Sequence, residues 1–227
     1  SGESPGGFRQ RQSSVMAFRT GNDIGVFDGV FQEIETDEGQ VFLFTGDSQV
    51  EFTTEVNLQR FLVVGGGAGG EVIEVKDAPQ RMCPGDRLTI TVGAGGGNRS
   101  GLISSGTTSA WRSGSAGEST TMTIITSTGS VDVVALGGGG GGGWMDSKGG
   151  AGPNSGGGSN GAAAGNCESL TGFPGGTAVG NGPGGGGGGA GGAGSNASST
   201  LPGAGGAGIL SDITGESLDY GAGGGAG

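Results

Sequence analysis

The segment RFLVVGGGAGG, residues 60–70, distinguishes between two possible folds, a nucleotide-binding fold and a β structure with glycine turns. Its apolar run passes directly into glycines, and Gly65, Gly67 and Gly70 match the G-x-G-x-x-G pattern of dinucleotide-binding turns. That pattern requires a helix that starts within it, because the pyrophosphate sits on a helix N-terminus. The β-branched run VIEV (72–75) follows instead. The segment therefore predicts a strand, a glycine turn and another strand, without a nucleotide cofactor.

The same pattern occurs twice more. RLTITVGAGGG (87–97) and VDVVALGGGGGGG (131–143) are also strand-like runs that open into glycine. A nucleotide site needs one such turn. Three of them indicate that the strand followed by glycines is a repeated structural unit of the fold. The 62 glycines among 227 residues have no G-X-Y period and are accompanied by only seven prolines, which excludes collagen.

The ionisable residues exclude several functions. A formal net charge of −11 argues against nucleic acid and against anionic membrane surfaces. The chain has no histidine and no catalytic constellation, so we expect no enzyme and no metal site. Cys83 and Cys167 have no metal-ligand spacing; two free thiols are favoured, and a disulfide stays open. No apolar stretch is long enough for membrane insertion, and no signal peptide is visible.

The first 136 residues have the pattern of antiparallel β structure. Alternating runs rich in Val, Ile, Thr and Phe are bounded by turn residues; they are VFLF (41–44), QVEFTTEV (49–56), LTITV (88–92) and TTMTIIT (120–126). The run VFQEIETDEG (30–39) fits a strand and a helix equally well. We predict an N-terminal arm or attachment segment (1–40) and a β region with the first glycine runs (41–136). The fold class is mainly β plus irregular structure, with little or no α-helix.

Residues 137–227 are dominated by glycine, a composition that usually signals disorder. However, the glycine runs are interrupted by WMDSK (144–148), NCESLTGFP (166–174), SNASSTLP (195–202) and ILSDITGESLDY (209–220). A flexible linker has no reason to place its large side chains only between glycine runs. We therefore predict a bundle of polyglycine II helices joined by backbone hydrogen bonds. A side chain at a central glycine such as Gly187 would push a neighbouring helix away.

The interruptions hold the candidate binding residues, which are Trp144, Met145, Lys148, Phe173, Leu201, Ile209 and Tyr220. For the aromatic residues, capping a glycine helix and stacking on a receptor are equally consistent with the sequence. The apolar residues Leu201 and Ile209 are more typical of caps. An even number of glycine runs separates WMDSK from NCESLTGFP, which predicts that these two loops share an end of the bundle.

Three segments occur in the order found in a known family: FLFTGDSQVEFTTEVNLQRFLVVGGGAGGEV (42–72), CPGDRLTITVGAGGG (83–97) and VDVVALGGGGGGG (131–143). Together they resemble the glycine-rich domain common in bacteriophage tail proteins, over about residues 41–227. The later part is similar to tail-fibre tip adhesins with polyglycine II bundles. Leu88 departs from the aromatic residue that the family often has, residues 98–120 form a long insertion, and residues 1–40 match nothing.

The resemblance implies a non-enzymatic structural protein of the virion, in a tail fibre or tail tip, that is made in the host cytoplasm. Its glycine-rich part would be a rigid platform whose loops contact a host cell-surface receptor. Its N-terminal region would attach to other tail proteins, and we expect a homo-oligomer or an association with the fibre. Two alternatives stay open, a stabilising decoration fibre on head or tail and an ice-binding protein with flat faces of Ala, Ser and Thr.

Overall fold

A computed structural model describes residues 15–20, 24–76, 80–97, 103–105, 108–110, 113–142, 148–169, 171–180 and 182–226. All regular elements of these residues are β strands, and none of the described residues is helical. The strands are β1 (Val15–Thr20), β2 (Gly25–Thr36), β3 (Gly39–Phe52), β4 (Val56–Leu58), β5 (Arg60–Val64), β6 (Val72–Val75), β7 (Gln80–Met82), β8 (Arg87–Thr91), β9 (Ile103–Ser105), β10 (Thr108–Ala110), β11 (Thr120–Thr126), β12 (Gly129–Ala135), β13 (Ile209–Ser211) and β14 (Leu218–Tyr220).

The main sheet is built on the long antiparallel hairpin of β2 and β3, which has a register shift near Gly29. The first part of β3 pairs with β1, and its last part pairs with β8. From β1 the sheet continues through β5 to β6, and from β8 it continues through β11 to β12. Every pairing is antiparallel, so one sheet of eight strands branches from a single hairpin.

The two branches approach each other again, so the sheet is nearly closed in the manner of a barrel. Leu136 follows β12, and Glu71 precedes β6. The backbone N–H of Glu71 donates to the carbonyl oxygen of Leu136 at 2.8 Å, and the N–H of Leu136 donates to Oε2 of Glu71 at 3.1 Å. These bonds satisfy polar groups that an open sheet edge would leave unpaired.

The inner face of the sheet holds the larger core. Alternation along the strands directs Phe42 and Phe44 inward, where they meet Phe18, Phe27 and Phe31 with ring centroids 4.6 to 6.4 Å apart. Apolar residues of β5, β8 and β11 complete this core.

The outer face of the sheet is also covered. Val41 and Leu43 alternate with the inward phenylalanines and contact a second cluster that contains Leu62, Ile213 and Tyr220. The last two residues belong to the hairpin of β13 and β14, which lies in the glycine-rich half of the sequence. The β region and the glycine-rich half therefore share a core.

The rest of the glycine-rich half consists of extended segments joined by backbone hydrogen bonds. Donors recur three residues apart: Gly203 donates to Gly184 and Gly206 to Gly187, at 2.9 and 2.8 Å. A third segment donates to the segment of Gly203 and Gly206, since the N–H of Gly223 donates to the carbonyl of Gly206 at 2.9 Å. Inter-segment bonds of this kind satisfy the polar backbone of segments that have no internal bonds.

Most of these glycines are needed because another backbone lies where a Cβ atom would stand. A Cβ at Gly157 or Gly186 would lie well inside 3.0 Å of a carbonyl oxygen of the adjacent segment. Gly187 is different, because the nearest atom to its Cβ position is 3.4 Å away. The expectation that a side chain at Gly187 would push a neighbouring segment away is therefore wrong. The adjacent residue, Gly186, is the one at which a Cβ atom would collide with a neighbouring backbone.

The predicted bundle of polyglycine II helices is wrong, because the structure is all-β and the described residues contain no helix. Glycine permits close backbone approach but does not select one backbone conformation. Most residues of the glycine segments instead have no regular secondary structure, and the chain returns to β structure at β13 and β14. The expectation of little or no α-helix is confirmed.

Most of the strand predictions hold in the first half. The run QVEFTTEV is an exception, because β3 ends at Phe52 and β4 begins at Val56, so residues 53–55 lie between two strands. The run TTMTIIT coincides with β11, and LTITV lies on β8 with one residue beyond it. The ambiguous run 30–39 is mainly strand, since β2 extends to Thr36. In the predicted arm, residues 15–20 and 25–36 supply β1 and β2 of the main sheet.

Candidate functional site

The glycines of the G-x-G-x-x-G segment have a packing explanation. Gly67 has a φ of 82°, which favours glycine. A Cβ at Gly65 would collide with the carbonyl of Leu136, and one at Gly70 would collide with the carbonyl of Gly65. Strand β6 follows the turn, as predicted, so no helix N-terminus is available there to hold a phosphate.

Three tight turns lie side by side at one end of the glycine segments, and we refer to them as the turn face. One backbone hydrogen bond closes each turn. The N–H of Ala162 donates to the carbonyl of Ser159, that of Gly182 to Val179, and that of Ser198 to Leu201. Adjacent segments connect them: the N–H of Ala178 donates to Ala162 at 3.1 Å, and that of Ala197 donates to Thr177 at 2.9 Å. The turns are therefore held by the backbones behind them.

The turn face exposes apolar side chains. Leu201 is 66% exposed and Val179 is 40% exposed. The N–H of Leu201 donates to Oγ of Ser198 at 3.0 Å, which fixes the backbone that carries its side chain. Exposed apolar side chains on an ordered backbone can bind a partner at a low cost in conformational entropy.

The two predicted loops contact each other at one point, where Nζ of Lys148 donates to Oδ1 of Asn166 at 3.3 Å. Lys148 lies beside the turn face, because the next residue, Gly149, bonds to Ala163. Phe173 lies at the opposite end of the segment that leads to Val179, and its N–H donates to Oδ1 of Asn154 at 2.8 Å. Only the first residue of NCESLTGFP therefore lies next to Lys148, whereas Phe173 lies next to the turn at Pro153 and Asn154. The predicted pairing of Trp144 with Phe173 stays a prediction, because Trp144 lies outside the described residues.

Among the other candidates, Ile209 begins β13 and is half-buried. Tyr220 is 1% exposed and packs in the outer cluster, so its side chain has the role of a core residue. Burial raises the pKa of Tyr220, and its hydroxyl and that of Thr214 have no satisfactory hydrogen bond. Trp144 and Met145 lie outside the described residues.

A polar network that sequence reasoning missed fixes the C-terminal hairpin to the sheet. Arg60 of β5 donates through Nε to Oε1 of Glu74 at 2.9 Å, and its Nη2 also contacts Asp212. Ser211 donates to Oε1 of Glu74 at 2.7 Å. The side chains of Arg60 and Glu74 are only 11% and 9% exposed. The sequence contains one signal for this network: Arg60 and Glu74 are single charged residues in the otherwise apolar strands RFLVV and VIEV.

The electrostatics of the network favour its charged form. Burial alone would raise the pKa of Glu74, but hydrogen bonds from Ser211 and Arg60 and the charge of Arg60 outweigh it and leave the pKa lowered. The hydrogen bond from Arg60 and its charge also lower the pKa of Asp212. The carboxylates therefore stay ionised while they hold the hairpin.

This network predicts an acid-sensitive contribution to stability. Because the folded pKa of Glu74 lies below the unfolded value of 4.5, its contribution is complete above pH 4.5 and is lost as the pH falls through the folded pKa. The difference in free energy of unfolding between the parent protein and Glu74→Gln should therefore shrink below pH 4.5. Urea unfolding at several pH values measures it, and a difference that does not change with pH would contradict the assignment.

Other site chemistry is sparse in the part of the chain that the structure describes. No three His, Cys, Asp or Glu side chains converge there on a position for a metal ion. Cys83 and Cys167 are separate, half-buried thiols. Within the same described residues there is no helix of the length and apolarity that a membrane span requires.

The comparison with family models identifies the chain by the same glycine-rich sequence that forms the backbone packing. A family model described as a glycine-rich domain matches residues 46–227. The chain belongs to this glycine-rich domain family. No curated protein and no solved structure shows a significant match. The family therefore accounts for the glycine-rich half and most of the β region, and it leaves the function of the glycine-rich domain to be argued from its surface.

Proposed function

We propose that this glycine-rich domain protein is a non-enzymatic structural component of a bacteriophage virion, in a tail fibre or tail tip, that presents a recognition surface to the host. The observation that carries the proposal is the packing of glycine backbones against one another, as at Gly157 and Gly186. Such packing supports loops without a side-chain core beneath them. The virion context comes from the sequence resemblance to phage tail proteins.

The turn face is the best candidate for the recognition surface. It combines exposed apolar side chains at Val179 and Leu201 with turns fixed by backbone hydrogen bonds. Binding energy in protein interfaces concentrates on a few such side chains. The opposite end of the segments is joined to the sheet, where Asn154 donates to the carbonyl of Gly69 at 3.0 Å. In this arrangement the N-terminal region contacts other tail proteins while the turn face points to the host receptor.

The virion assignment is tested by mass spectrometry of purified virions from the phage that encodes the chain. We expect peptides of this protein in tail fractions. Their absence from intact virions, or their presence only in heads, would reject the tail assignment.

The recognition role predicts a specific loss of adsorption. The double variant Val179→Ser and Leu201→Ser should slow adsorption to host cells by about tenfold or more, since exposed interface anchors contribute on the order of 1–2 kcal/mol each. The control is Val131→Ser with Val134→Ser, because these β-region side chains are exposed to nearly the same degree as Leu201 and Val179, at 63% and 39%. Both variants should assemble into virions, and equal adsorption by the two would exclude the turn face from recognition.

A further inference from the structure

A groove lies between the turn of β2 and β3 and the loop of the C-terminal hairpin. Its volume is about 660 Å³, and its apolar floor contains Ile34, Leu43 and Leu218. Gly215 borders it, with a φ of 86° and a Cβ position only 3.2 Å from Cγ2 of Thr36. The hairpin loop therefore packs directly on the last residue of β2 and forms one wall of the groove.

The groove is strongly acidic. The carboxylates that line it are Glu35, Asp37, Glu38, Asp212 and Glu216, and none of the lysines and arginines that the structure describes lines it. Asp212 is paired with Arg60, whereas Glu35, Asp37 and Glu216 have no ion pair within the described ranges. Clustered carboxylates without counter-charges create a negative potential that attracts a cationic ligand.

The groove is continuous with a free sheet edge. Among the described strands, β2 pairs only with β3, so its second edge presents unpaired backbone groups. Four residues at the end of β2 also line the groove, namely Gln32, Ile34, Glu35 and Thr36. An extended peptide paired with this edge would direct alternate side chains to the face of Ile34, and therefore into the groove.

We propose that the free edge of β2 and the adjacent groove bind an extended segment of a partner protein that carries lysine or arginine, as an added strand of the sheet. The aliphatic stems of those residues would cover Ile34 and Leu218, and their charged ends would meet Asp37 and Glu216. Charge excludes a second copy of β2 from this place, because the strand itself carries three carboxylates, Asp28, Glu33 and Glu35. This surface lies apart from the turn face and does not depend on the proposed recognition role.

A labelled seven-residue peptide of alternating lysine and valine is the probe, and fluorescence anisotropy measures its binding to the full chain. Asp37→Asn with Glu216→Gln should raise the Kd about tenfold, since exposed ion pairs contribute up to about 1 kcal/mol each. Asp132→Asn with Glu168→Gln is the matched control, because both carboxylates are exposed and neither lines the groove. The control should bind like the parent protein, and equal weakening in the two variants would overturn the proposal.

A second peptide tests the backbone pairing. N-methylation of alternate residues keeps the charges and removes the hydrogen bonds of an added strand, so we expect this peptide not to bind. Equal binding of the two peptides would mean that the carboxylates only accumulate cations, and no binding of the parent peptide at millimolar concentration would also overturn the proposal. Sedimentation of the protein alone should show a monomer. A dimer that forms in the parent protein and is lost in Val26→Lys would instead assign the edge of β2 to a second copy of the chain.

Discussion

The Gly186→Ala variant is expected to lose about 3 kcal/mol of unfolding free energy, whereas Gly187→Ala should stay within about 0.5 kcal/mol of the parent protein. The Cβ at residue 186 would enter the backbone of Ala204, so the segments must separate and strain the bond from Gly186 N–H to Ser195. At Gly187 the nearest atom, the nitrogen of Gly224, is 3.4 Å away, an ordinary contact.

These two residues are adjacent and receive the same substitution, so differences in helix or strand propensity cannot explain a difference between them. Chemical denaturation with a common slope gives both free energies. Equal stabilities of the two variants would show that the segments do not pack as described.

The second large effect is expected at the buried ion pair. Arg60→Leu should cost about 3 kcal/mol, because it leaves the carboxylate of Glu74 buried with only Ser211 and the partly exposed Lys76 as partners. The double variant Arg60→Leu with Glu74→Leu should be more stable than the single variant, since it removes the unpaired charge.

Hydrogen exchange locates the effect of this change. In Arg60→Leu, the amides of β13 and β14 should lose more protection than those of β11, because the network joins the C-terminal hairpin to the sheet. A double variant less stable than Arg60→Leu, or uniform loss of protection in both regions, would contradict the role of the network as a local fastening.

The β half could be predicted because its signal is local. TTMTIIT alternates with period two and forms β11, paired on both sides. The segment RFLVV has consecutive apolar residues, which indicates burial on both faces of a strand. The sequence does not say which segment supplies the second layer. The answer is the hairpin with Ile213 and Tyr220, more than 140 residues later in the chain, and no local pattern encodes that contact.

The glycine-rich half shows the opposite limit. Glycine identity predicts that backbones approach closely, and the Cβ positions at Gly157 and Gly186 confirm it. The same identity does not fix backbone torsions, strand content or the order of neighbours, so the predicted helical bundle failed. The sequence predicts a loop at Tyr220 for the same reason, because a strand as short as β14 next to a glycine run has no clear sequence signal.

Hydrogen bonds between separate backbone segments order the glycine-rich half. Amide hydrogen exchange resolved at residues 184–194 tests this ordering most directly. We expect slow exchange at Gly186, Gly187 and Gly188, whose N–H groups donate to Ser195, Gly224 and Ser155 at 2.8 to 3.0 Å. Exchange of all three amides at the rate of an unstructured chain would contradict it.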